Sequence, residues 1–240
     1  QNCDLSETTW GPNCDHPTLG AYGAEYYTIE GLTIRGAIYL FGSTTLARGV
    51  VIAHNDIERG WGSPDDGNWA AIFLTRTTGA WVHHNNLHDI QGYSDTGAQT
   101  SATCIKLFTG VYGTYEYNTC ARVLFGDSQT GGVDDKQDAV GNVIRYNWFV
   151  AVNNCIRVQN QIGDGFFSTA TGDQIYNNVC VATGSVGNRR CLRFEAGSIT
   201  DAAFFNNTCY GFSGGWDALS PQPGAFNVSV YNNIFASVAS

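Results

Sequence analysis

Residues 143–149 read VIRYNWF, and six other segments align with them without gaps: VIAHNDI at 51–57, WVHHNNL at 81–87, TYEYNTC at 114–120, QIYNNVC at 174–180, AFFNNTC at 203–209 and SVYNNIF at 229–235. The fifth position is always asparagine. Asn55, Asn85, Asn118, Asn147, Asn178, Asn207 and Asn233 follow one another at 30, 33, 29, 31, 29 and 26 residues. A repeat of about 20–50 residues marks a solenoid, a propeller or an array, and a propeller blade needs about 40 or more. The shorter period favours the solenoid. Each copy suits a strand that bends at its asparagine. Stacked in parallel at about 4.8 Å per coil, the amides would form a ladder, each donating to the next and to backbone at the bend. One unpaired buried amide costs a few kcal/mol, which a ladder avoids at every rung but the ends.

A second column precedes most of the asparagines: AIYLF at 37–41, AIFLT at 71–75, CIKLF at 104–108, CIRVQ at 155–159 and CLRFE at 191–195. Its alternation is that of a half-buried strand. RVLFG at 122–126 is the expected member for the Asn147 coil, and YTIEGLTI at 27–34 reads as an opening coil with Leu32 in the ladder position. The prediction is an all-β, right-handed parallel β-helix of about seven coils over residues 27–240, preceded by a cap segment at 1–26.

With these two motifs the chain resembles the right-handed parallel β-helix proteins of the pectin-lyase-like superfamily over about residues 27 to 235. The resemblance is specific for fold. That superfamily holds polysaccharide lyases, glycoside hydrolases, pectin esterases, tailspikes and adhesins. Its lyases usually place catalytic groups on the outer face of the first-strand sheet, which implies the same place here.

In that strand Ile105 and Leu107, Ile156 and Val158, and Leu192 and Phe194 should point inward. Tyr39, Phe73, Lys106, Arg157 and Arg193 then point outward, with Leu124 expected between Lys106 and Arg157. β-Elimination on a uronate glycan needs a base for the proton beside the carboxylate and cations for the developing enolate. Lys106 as base, with Arg157 and Arg193 clamping the carboxylate, is the concrete expectation. Tyr39, Phe73 and Glu195 are candidate substrate contacts. The competing expectation is that these cations are ordinary solubilising residues. Long stretches after Val123 and Ile156 should wall a groove beside the strip.

Asp134, Asp135 and Asp138 form a candidate calcium site, with a solvated acidic turn the favoured reading there and equally at Asp65 and Asp66. The NTD and GHG motifs of polygalacturonase-type hydrolases are missing, which disfavours that chemistry. His83, His84, His88 and Asp89 cluster in sequence, but His83 should point out from its strand and His84 toward the turn, so zinc binding is not expected. No outward threonine array of the ice-binding kind recurs.

The net charge of −9 argues against nucleic acid and anionic membrane as partners. A polysaccharide is the expected partner. Eight cysteines without a CxxC motif fit an oxidising, extracellular compartment, and the chain reads as a secreted, mature product. Cys3 and Cys14 are placed to staple the N-terminal segment. Cys155 with Cys191, and Cys180 with Cys209, could bridge neighbouring coils or stack as free thiols. Two functions remain open: a lyase acting on an acidic glycan, or a non-catalytic glycan-binding, adhesin, tailspike-like or fibre subunit. The lack of an obvious C-terminal cap on the last coil would favour end-to-end self-association.

Overall fold

The computed structural model describes residues 19–23, 25–63, 68–90, 101–123, 131–159, 170–182, 189–195, 199–212, 219–220 and 225–236. The expected Cys3–Cys14 staple, Asp65, Asp66, Leu124 and most of the stretch at 159–173 lie outside them. Three long parallel sheets dominate the described residues. Each coil gives one strand to each sheet in turn, as Asn154–Gln159, Gln174–Tyr176 and Val179–Val181 do for the Asn178 coil. Along each sheet eight strands stack in chain order. Seven coils carry a ladder asparagine, and the opening coil carries Leu32, whose N–H donates to Asn55 Oδ1 at 3.1 Å. The first sheet starts earlier than expected, because Leu19–Tyr22 already pairs with Ile38–Phe41. The parallel β-helix therefore reaches into the segment assigned to the cap.

The ladder is continuous. Each Nδ2 donates to the next Oδ1 at 2.9–3.1 Å, from Asn55 through Asn233. Each Oδ1 also accepts the backbone N–H of the preceding rung, as Asn178 Oδ1 does from Asn147 N at 3.0 Å. A second Nδ2 proton reaches a second-sheet carbonyl, Tyr115 O in the case of Asn147. The residue before each asparagine takes a left-handed conformation: His54, His84, Tyr117, Tyr146, Asn177, Asn206 and Asn232 all have φ near +54°. Such a non-glycine bend costs about 1–2 kcal/mol, and the bonded amide behind it holds it in place.

The coil between the Asn118 and Asn178 coils uses Gly131–Lys136, not RVLFG, as its first strand. Val133 is the inward residue there, stacked on Ile105 and Ile156. The extra chain at 124–130 therefore precedes this strand and does not follow it. The apolar run VLF has higher strand propensity than GGVDDK, with its glycines and acids. Packing demands those glycines. A Cβ on Gly131 would sit 2.4 Å from Asn154 O, and one on Gly132 would sit 2.3 Å from the Phe149 ring.

Gly132 shares its level with Cys104, Cys155 and Cys191. Facing these from the third sheet stand Cys120, Phe149, Cys180 and Cys209 in register. Two of the cysteine pairs are disulfides, Cys104–Cys120 and Cys191–Cys209, each within one coil. Of the two alternatives for Cys155 with Cys191 and Cys180 with Cys209, neither inter-coil bridge forms, since these side chains point across the interior and not along the axis. Cys155 and Cys180 are free and buried.

Candidate functional site

Two columns of side chains cross the outer face of the first sheet. One runs Tyr39, Phe73, Lys106, Asp134, Arg157, Arg193. The other runs Tyr22, Phe41, Thr75, Phe108, Lys136, Gln159 and reaches Glu195, of which only the backbone is described. The expected cations do share one face, and Lys106 and Arg157 are two rungs apart, about 10 Å at 4.8 Å per rung. The residue between them is Asp134, not Leu124. Its carboxylate accepts from Arg157 Nε and Nη2 at 2.7 Å each, and Lys106 Nζ stands 3.6 Å from Oδ2.

This end of the face is closed. Lys106, Asp134 and Arg157 are at most 1% exposed and Arg193 is 9% exposed. Burial opposes the charge on Asp134, but Arg157, Lys106 and Lys136 outweigh it and hold the carboxyl below the usual carboxylate range. Where the sequence suggested a loop-walled groove beside these cations, the described residues form a buried ion network. The alternation placed the side chains correctly but carried no information on what covers them.

The aromatic end is the accessible one. Tyr22 is 74% exposed and stacks on Phe41 at 5.0 Å. Tyr39 and Phe41 are half-buried, and Tyr39 lies 4.7 Å from Phe73 at a 39° tilt. Phe73 meets Phe108 edge to face, and Lys136 Nζ lies 5.0 Å from the Phe108 ring centroid. Arg76 caps Phe41 at 5.8 Å. The accessible aromatic rings thus run along the same sheet face into the buried ion network. Tyr22, Phe41, Phe108 and Lys136 were not singled out from sequence, although the last three stand two residues from positions that were.

The calcium expectation loses its geometry. Asp134 faces outward, while Asp135, in register with inward Leu107 and Val158, points into the core. There Asn142 Nδ2 donates to both Asp135 oxygens, and Asp173 Oδ1 accepts from Asn142 N. Burial pushes the Asp173 carboxyl up to about 7, and burial together with the Asp173 charge raises Asp135 well above its ordinary value. Asp138 is fully buried as well.

The histidine expectation is also corrected. His83 and His84 do not diverge, since their Nδ1 atoms are 3.0 Å apart. His54 of the neighbouring coil joins them, its ring stacked 5.0 Å from His84. The shared fourth position of VIAHNDI and WVHHNNL was the available signal. Burial, followed by the charges of His84 and His54, lowers the His83 pKa. His88 belongs elsewhere, held on the third sheet by Asp89 at 2.7 Å and Asp56 at 3.2 Å.

Beyond His84 the same column continues through Tyr117 and Tyr146 at 5.0 Å per step. Tyr117 and Tyr146 are nearly parallel and half-exposed at the bend.

No family model matches the chain, and neither does any curated protein. Among solved structures it is similar to the tailspike protein of E. coli bacteriophage HK620. A double mutant of that protein in complex with a pentasaccharide superposes with a TM-score of 0.61 at 16% identity, covering 88% of this chain and 39% of that one. Another mutant, in complex with a hexasaccharide, gives 0.62 at 16% identity, covering 88% and 38%. At this identity the likeness establishes the fold: the chain is a right-handed parallel β-helix. It spans about two-fifths of the length of those tailspike chains.

Proposed function

We propose that the chain is an extracellular carbohydrate-binding β-helix that holds an extended glycan across the outer face of its first sheet. The observation that carries this reading is the accessible aromatic cluster of Tyr22, Tyr39 and Phe41 running without a break into a charged network. Aromatic rings supply apolar area to the C–H faces of sugars, and a few polar groups set orientation. The tailspike structures with bound pentasaccharide and hexasaccharide support it, as the same architecture accommodates oligosaccharides there. Disulfides within the coils support an oxidising compartment.

Four cations, Lys106, Lys136, Arg157 and Arg193, lie on this face of the sheet, and they support an acidic glycan as the ligand class. The same alignment of cations supports a second reading, β-elimination with Lys106 as base. That reading requires a substrate carboxylate to displace Asp134, because Lys106 and Arg157 already face it. Binding without elimination is therefore preferred.

The test is a panel of neutral and uronate-containing polysaccharides, scored for binding and for the ultraviolet absorbance of unsaturated products. The proposal expects retention of at least one uronate polymer without growth of absorbance. Growth that disappears in folded Lys106→Ala would move the assignment to the lyase. Failure to bind any member of the panel would refute the carbohydrate reading.

A further inference from the structure

Outside the first sheet, the most organised cluster of ligating side chains lies at the bend between the second and third sheets. His54 and His84 occupy one position on adjacent coils, each just before a ladder asparagine, with φ of 54° and 53°. Their backbones are tied along the axis, His54 N–H to His83 O at 3.2 Å and His84 N–H to Glu116 O at 3.3 Å. The rings consequently stack 5.0 Å apart at a 23° angle. His83, on the strand Trp81–His83, stands perpendicular to both, its centroid 5.5 Å from His54 and 5.2 Å from His84. One nitrogen from each ring lies within 4.8 Å of the other two.

We propose that His54, His83 and His84 form a binding site for a divalent transition-metal ion of the zinc type, with a solvent molecule completing the coordination. Zinc binds imidazole nitrogen at about 2.0–2.1 Å in tetrahedral geometry, which puts ligand nitrogens about 3.3 Å apart. Reaching it requires the stacked His54 and His84 rings to turn so that both in-plane lone pairs point at the ion. Two ligands are fixed by a backbone bend that the asparagine ladder enforces, so little backbone ordering remains to be done on binding. The third is braced by Trp81, whose ring centroid is 3.9 Å away.

Trp81 is held in turn by Glu116, which accepts from its Nε1 at 2.9 Å and from Arg145 Nε at 2.6 Å. Glu30 and Glu116 lie in the same second-sheet column as His83, two rungs and one rung away, and add negative charge near the cation. His54 and His84 are exposed, which leaves the fourth position open to water. His83 and His84 share a hydrogen bond between their Nδ1 atoms at 3.0 Å, and an ion would take the place of its proton. The convergence of three ring nitrogens is what a ligand set requires. Imidazole donors without thiolate suit zinc, and also copper and nickel.

The matched variants are His54→Asn and His84→Asn, because asparagine holds this left-handed position at Asn177, Asn206 and Asn232. The full chain, freed of metal with a chelator, is titrated calorimetrically with zinc. Cobalt serves as a second, coloured probe. The expected result is one equivalent of zinc bound, an affinity loss of at least about tenfold in each variant, and no change in Tyr117→Ala. Cobalt should give visible bands without sulfur-to-metal charge transfer. Absence of binding, an affinity unchanged in both asparagine variants, or a charge-transfer band signalling Cys155 and Cys180 would overturn the proposal.

Discussion

Asn147 takes part in four hydrogen bonds through a single amide: it donates to Tyr115 O and Asn178 Oδ1, and accepts from Asn118 N and Asn118 Nδ2. It is 2% exposed, so water cannot replace these partners without opening the bend. Asn147→Ala should therefore destabilise the protein by about 1–3 kcal/mol, read as a lower urea midpoint at unchanged m-value. A loss below about 0.5 kcal/mol would show that the rungs act independently of one another. This residue was fully legible in the sequence, because a side chain that must recur at every coil writes its own period. Asp134 was not. As one of two adjacent acids in a glycine-rich stretch it looked like a solvated turn, and only the strand register shows it between Lys106 and Arg157.

Elements follow the same division. Second and third strands flank the invariant asparagine and were readable in every coil. First strands were readable where apolar alternation is complete, and misread at Gly131–Lys136, where Asp135 occupies an inward position. What selects that strand is volume across the interior. Levels with two cysteines face each other, while the level with Phe149 facing inward has Gly132 opposite it. Gly132→Ala places a methyl group against the Phe149 ring and Cys155 O. We expect a cost of about 1–3 kcal/mol from overpacking, measurable by thermal or urea unfolding. Wild-type stability in this variant would mean that the Phe149 ring can yield, and that glycine is present there for another reason.

At the scale of the molecule, a polar interior inclusion sets a pH dependence. Asp173 is raised from about 3.8 when unfolded to about 7 when folded, so between these values the folded state holds the extra proton. Stability then falls as pH rises through that window, by up to about 1.4 kcal/mol per pH unit for this group. Asp135, also raised, contributes in the same direction, whereas His83, lowered by burial and its histidine neighbours, opposes it as pH approaches 6.5. Asp173→Asn keeps the acceptor for Asn142 N–H and removes the titration. Its urea midpoint should depend less on pH than that of wild type between about pH 4.5 and 6.5. Equal slopes would exclude Asp173 as the source.

The outer face of the first sheet unites these scales: the ladder fixes the bend, register aligns the columns, and the solenoid leaves their aromatic end accessible. Its direct test is calorimetric binding of the best ligand from the glycan panel to wild type, to Tyr39→Ala and Phe41→Ala, and to Tyr117→Ala at the bend between the second and third sheets. The account predicts that the first two variants lose at least about tenfold in affinity, the equivalent of 1.4 kcal/mol, at native circular dichroism, while Tyr117→Ala binds as wild type does. Undiminished binding in Tyr39→Ala and Phe41→Ala, or loss confined to Tyr117→Ala, would contradict it.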